Sequence, residues 1–162
     1  RAMRANLIDL AVVTTPMSLK KPLEKIPLSK CKEILICGPK YSYLTDTAKS
    51  LKDLTEIPLI SLSEGTGTYD LYNKFYIAHS VPFTPDMEVA TTDQIIPMIT
   101  HNLGIGFYPE DLATELIEDK KVFPINIEEK LPIREVCLVK NKSSAMSTSV
   151  QKFYNFLKNS VS

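Results

Sequence analysis

The stretch "SEGTGT", residues 63–68, has the residue types and spacing best suited to hold a ligand. A glycine-rich turn running into a helix directs free backbone N–H groups and the positive end of the helix dipole outward, so the chemistry it offers is anion binding. Thr66 and Thr68 add hydroxyl donors beside Gly65 and Gly67. The competing use of the same residues is structural, with one threonine serving as the helix cap. Nucleotide chemistry does not fit. No lysine follows these glycines as a P-loop requires, and Asp70 stands where a dinucleotide fingerprint has its third glycine. Covalent catalysis lacks its parts as well: no serine sits in a GxSxG elbow, and neither His79 nor His101 has an identifiable serine or cysteine partner. The two histidines also lack metal-ligand spacing. The expectation is a binding module with no catalytic residue, no metal and no cofactor.

Two further loops qualify by position, because ligands of open parallel sheets bind beyond the carboxyl ends of the strands. One is Thr14-Thr15, which ends the β-branched run "LIDLAVVTTP" (7–16). The other lies in "HNLGIGFYPEDLA" (101–113), where Gly104 is expected to end a helix in the left-handed conformation and Ile105 to begin a strand. Gly106 then leaves space on that strand for another backbone or a ligand, with Phe107 beside it. Pro109 stops the strand, and Glu110 and Asp111 fall in the acid-favouring first turn of the next helix.

The elements that carry these loops alternate. "EILICGP" (33–39), "IPLISLS" (57–63), "DMEVAT" (86–91), "VFPINI" and "REVCLVK" read as strands. Tyr69, Tyr72, Tyr76 and His79 recur at helical spacing after "SEGTGT". Thr91 and Gln94 form a capping box for a helix in which Pro97 predicts a kink or a later true start. "STSVQKFYNFLKN" reads as a closing helix with Val150, Phe153, Phe156 and Leu157 inward. The alternation predicts an α/β fold with mainly parallel central sheets. The chain reads as two lobes if its first strand and last third share one sheet, the first lobe then made of 1–31 with 124–162 and the second of 32–123.

Lys+Arg and Asp+Glu are both 19, so no excess positive charge marks a nucleic-acid surface. With 162 residues and 44% hydrophobic content, the chain is expected to be a soluble globular body with no membrane association and a cytoplasmic setting. Cys31, Cys37 and Cys137 form no CxxC pair and read as reduced, mostly buried thiols. Cys31 and Cys37 would share a face if they lay on one strand, which keeps a thiol-sensor reading open.

In order, "NLIDLAVV", "LKDLTEIPLISLSEGTGTYD", "TTDQIIPMITHNLGIGFYPEDLA" and "LPIREVCLVKNKSSAMSTSVQKFYNFL" resemble the effector-binding domain of LysR-type transcriptional regulators. The resemblance implies a fold similar to type 2 periplasmic binding proteins, with a small anionic effector held between two lobes. It places Thr14, Thr15, Gly65, Thr66, Gly67 and Thr68 at that effector, Thr15, Thr66 and Thr68 foremost, and puts Gly104, Ile105, Gly106 and Phe107 beside it. Homodimers through this domain are implied, with DNA read only by an N-terminal helix-turn-helix outside the sequence. The family's opening strand, helix and strand of the first lobe also precede "LIDLAVV", so an N-terminally truncated domain with an incomplete first lobe is expected. The alternatives are a stand-alone solute-binding protein of the same fold and a prephenate-dehydratase-like lyase.

Overall fold

Side-chain alternation along two strands explains the larger of two units, residues 32–133. In β3 (Glu33–Cys37) and β6 (Ile105–Pro109) successive residues point to opposite faces of one sheet. Leu35, Cys37, Ile105 and Phe107 enter a core with Tyr72, Phe75 and Tyr76 of α1 (Gly67–Ala78). Ile36 and Tyr108 enter the opposite core with Ile95 and Ile99 of α2 (Ile95–Thr100) and Ala113 of α3 (Glu110–Glu118). Burial on both faces accounts for the near-continuous apolar runs "ILIC" and "IGFY". The computed structural model describes residues 8–17, 19–142 and 146–159.

With β4 (Leu59–Leu62), β5 (Met87–Val89) and β7 (Phe123–Ile125), the strand order of this sheet is β5-β4-β6-β3-β7. Its directions are mixed rather than mainly parallel. β4 pairs parallel with both β5 and β6, whereas β3 pairs antiparallel with β6 and β7. The β3–β7 pairing also moves the unit boundary from 123 to 133, because Leu35 opposite Ile125 ties β7 to this sheet.

A three-residue 3-10 turn, Thr92–Gln94, precedes α2, so the α-helix begins only at Ile95. Gln94 Oε1 accepts the Thr91 N–H, as the capping box predicts. Pro97 therefore occupies the first helical turn, where a missing N–H removes no intrahelical bond. At the other end, Asn102 takes the left-handed position with φ 62°, and Gly104 does not. The Asn102 side chain also accepts the Lys40 N–H at 2.8 Å, so the turn is held from both sides.

The smaller unit comprises 1–31 and 134–162. Its sheet runs β1-β8-β2, from β1 (Leu10–Thr14), β8 (Arg134–Asn141) and β2 (Leu23–Cys31), and both pairings are antiparallel. β8 lies in the middle, with Cys137, Leu138 and Val139 buried. The sequence reading has no strand at β2, which carries Pro27. As an edge strand β2 tolerates the missing donor, and its register shifts between Pro27 and Ser29. In α4 (Thr148–Asn159) the inward residue is Tyr154, whereas Phe153 and Phe156 are 51% and 67% exposed, contrary to the expected face. Lys140 sets that face: its ammonium lies 4.5 Å from the Tyr154 ring centre and 3.1 Å from the hydroxyl.

Candidate functional site

Gly65 is the only described glycine with a left-handed backbone, φ 83°, and a Cβ there would meet open space. That conformation turns the chain from β4 into α1. Thr66 is the N-cap, with its N–H donating to Ser63 O at 3.2 Å and its hydroxyl accepting the Tyr69 N–H at 3.1 Å. The threonine hydroxyl thus serves the cap, the structural alternative foreseen for it. The Gly65 and Gly67 amides donate to no group among the described residues. They are the free donors of the turn, at the start of a 12-residue helix. Thr68 is half-buried in the first helical turn.

Acids surround this turn. The Glu64 N–H donates to Glu88 Oε2 at 3.2 Å, and Asp70 lies in the first turn of α1. The Tyr69 phenol is raised above its ordinary range by desolvation first, then by Glu64, Glu88 and Asp70. The loop accordingly combines two unengaged amides on exposed glycines with nearby carboxylates. Such an arrangement suits one negative group at the amides and hydroxyl donors at the rim, and opposes a polyanion.

Gly104, Ile105, Gly106 and Phe107 are all buried. A Cβ on Gly106 would approach Ile60 O and Ile95 Cγ2, both at 3.2 Å, so the close neighbours foreseen there are a strand and a helix of the same unit. The Phe107 ring stacks on Tyr72 with centroids 4.0 Å apart and planes 11° from parallel. Tyr72 in turn donates its hydroxyl to Glu33. Glu33 is a buried carboxylate that the sequence reading missed; its only signal was an acid opening an otherwise apolar strand.

On the smaller unit, Thr15 joins β1 to β8. Its N–H donates to Glu135 O and its hydroxyl accepts the Glu135 N–H, each at 2.8 Å, while Arg134 Nε donates to its carbonyl at 2.6 Å. Thr14 is half-buried, and its hydroxyl has no hydrogen bond among the described residues. Of the two threonines, Thr15 is the one whose side chain is engaged among the described residues.

The thiols divide by burial. Cys31 ends β2 and Cys37 ends β3, so they do not share a strand. Burial raises the Cys37 thiol from its ordinary 9.0 to about 11, and its Sγ donates to Phe123 O at 3.5 Å. The folded state thus holds this proton more tightly than the unfolded state. The resulting stability is full below pH 9 and is lost as pH rises from 9 toward 11. At pH 8, alkylation with iodoacetamide should modify half-buried Cys31 first, leaving Cys37 and Cys137 protected until the chain unfolds. Mass spectrometry of the peptides checks this, and equal labelling of all three would contradict it.

Among the described residues there is no cluster of three metal-ligating side chains, and no helix is long and apolar enough to cross a membrane. The LysR substrate binding domain model matches residues 1–162. The chain belongs to this family. It is an effector-binding regulatory domain with the type 2 periplasmic-binding-protein-like α/β fold. No curated protein matches it. Among solved structures, it is similar to the CcmR regulatory domain of Synechocystis PCC6803 in complex with 2-PG, at 17% identity and TM-score 0.83, covering 99% of this LysR domain and 76% of that chain. The effector-binding domain of QuiR in complex with shikimate is similar at 16% identity and TM-score 0.84, with 99% and 75% covered. HinK, a LysR family transcriptional regulator from Pseudomonas aeruginosa, is similar at 14% identity and TM-score 0.75, with 99% and 55% covered. The solute-binding and lyase alternatives are not favoured by these matches.

Proposed function

We propose that this LysR domain senses a small hydroxylated monocarboxylate at the start of α1. The observation that carries the reading is the pair of unengaged amides at Gly65 and Gly67, set in a rim containing Glu64 and Glu88. The carboxylate of the effector accepts from the two amides, and its hydroxyls donate to the rim acids. Shikimate, held by one neighbour, is a molecule of this type. Thr68 stands beside the two amides in the first turn of α1. Thr15 and Thr66 hold backbone in place, Ile105 and Phe107 support α1 from the sheet, and Gly104 and Gly106 allow close approach of Pro58 and of Ile60 with Ile95.

The domain forms a homodimer and passes effector occupancy to a DNA-binding helix-turn-helix elsewhere in the regulator. Such transmission needs the effector to favour one arrangement by about 1–3 kcal/mol. No catalytic step is assigned to it.

Bromide provides a simple anion probe. Titrated at constant ionic strength into isotopically labelled protein, it should shift the Gly65 and Gly67 amide resonances before others; shifts spread evenly over the surface would remove anion binding from this loop. Thr66 separates capping from ligand contact in the same experiment. Thr66→Val should lose about 1 kcal/mol of stability with the cap, whereas Thr66→Ser should keep both the cap and the bromide response.

A further inference from the structure

The larger unit contains a cavity of about 180 Å³ in which none of the lining residues belongs to the loop 63–68. Leu51, Leu54, Leu59 and Ile105 give it an apolar floor. Tyr76 of α1 also lines it, and this residue is only 5% exposed. Its hydroxyl makes no hydrogen bond among the described residues. No side-chain polar atom among the described residues is both buried and without a partner, so this hydroxyl is reached by solvent and is available to donate at the cavity. Asp86 stands at the rim, where its carboxylate accepts the Leu59 N–H at 2.8 Å.

The size of the space limits the guest. An apolar protein cavity of about 150 Å³ is large enough to take benzene. Charge limits it further, since the Asp86 carboxylate and the negative field of Glu129 at the Tyr76 hydroxyl both oppose an anion. Desolvation, and then Glu129, hold the Tyr76 phenol protonated well above its ordinary range, so it remains a hydrogen-bond donor throughout the physiological pH range.

We propose that this cavity is a second ligand site, taking a neutral monocyclic molecule of phenol size. The ring rests on the leucine and isoleucine floor, and the polar substituent accepts from the Tyr76 hydroxyl. This preference for a neutral guest differs from the anion preference of the α1 start, so the two sites do not compete for one compound.

The full chain, labelled at leucine and isoleucine methyl groups, is titrated with phenol and separately with benzoate. Phenol should produce saturable shifts at Leu54, Leu59 and Ile105, and benzoate should not. Tyr76→Phe removes only the unengaged hydroxyl and should weaken phenol binding about three- to tenfold, the range of one net hydrogen bond. Thr84→Trp, placed at the exposed rim, should block phenol while leaving the bromide response at Gly65 and Gly67 unchanged. Absence of saturable shifts up to the solubility of phenol would overturn the proposal. Equal binding of benzoate, or unaltered affinity in Tyr76→Phe, would overturn it as well.

Discussion

Gly104→Ala is expected to destabilise the larger unit by about 3 kcal/mol or more, the upper range for forcing extra atoms into a packed interior. A Cβ at this position would lie 2.3 Å from Pro58 O and 3.0 Å from Pro58 C. The obstruction is main chain, which cannot rotate away as a side chain does. Relief by displacement is also blocked, because the Ile105 N–H donates to that same Pro58 carbonyl at 2.8 Å at the start of the β4–β6 pairing. Pushing the strands apart would therefore break a sheet bond. Two other glycines calibrate the effect. Gly106→Ala meets its nearest atoms at 3.2 Å and should cost about 1 kcal/mol. Gly65→Ala meets no atom but must hold φ 83°, at about 1–2 kcal/mol. Urea unfolding of the three variants, followed by far-UV circular dichroism, checks the order. A Gly104→Ala midpoint equal to that of wild type would show that the strand entry is far more yielding than its geometry implies.

The same glycine shows which parts of the fold were legible in the sequence. "HNLGIGFYPEDLA" correctly announces a helix end, a short strand and a new helix, because local conformational preference decides each of them. Which residue turns left-handed depends on how α2 meets β4 and β6. Asn102 takes that role, and Gly104 is needed for closeness to Pro58 instead. Strand direction escaped the sequence for a related reason. Strands alternating with helices favour parallel neighbours, but β3 reaches β4 through 3-10 turns at Pro39–Thr45 and Leu51–Leu54 and lies across β6 from it. Nothing local in "EILICGP" reports that placement. β2 contains Pro27, a residue that counts against a strand in isolation and little against one at a sheet edge. The expected face of α4 joined Val150, Phe153, Phe156 and Leu157, whereas the deciding contact is Lys140 with Tyr154.

At the candidate site, the glycine-threonine turn was readable because its geometry is local, and the helix it opens begins at Gly67. The division of duties inside it was not. Thr66 and Thr15 are identical in type to the freer Thr14, and only their backbone partners, Tyr69 and Glu135, separate a structural hydroxyl from an available one. The acid rim was similarly hidden, since Glu88 comes from β5 and reaches the turn only through the parallel β4–β5 pairing.

Phe107→Ala tests the remaining ambiguity, whether that aromatic contacts a guest or supports the fold. Truncating a buried phenylalanine to alanine removes its transfer free energy and leaves a void, together about 3–5 kcal/mol. The full loss is expected here because the ring has two aromatic neighbours, Tyr72 stacked at 4.0 Å and Tyr76 edge-on at 6.2 Å. Only 6% of the residue is exposed, so no solvent-facing contact survives to offset the void. The effect should extend along the chain of contacts. Tyr72 loses the surface that orients its hydroxyl toward buried Glu33, so Phe107→Ala and Tyr72→Phe should be non-additive in a double-mutant cycle. The sequence has no tryptophan, so tyrosine fluorescence and circular dichroism follow unfolding in urea. A residue serving mainly as a ligand contact would behave differently: its truncation would lower affinity and leave the unfolding midpoint near wild type. That outcome would return Phe107 to the effector site and require β6 to open toward solvent.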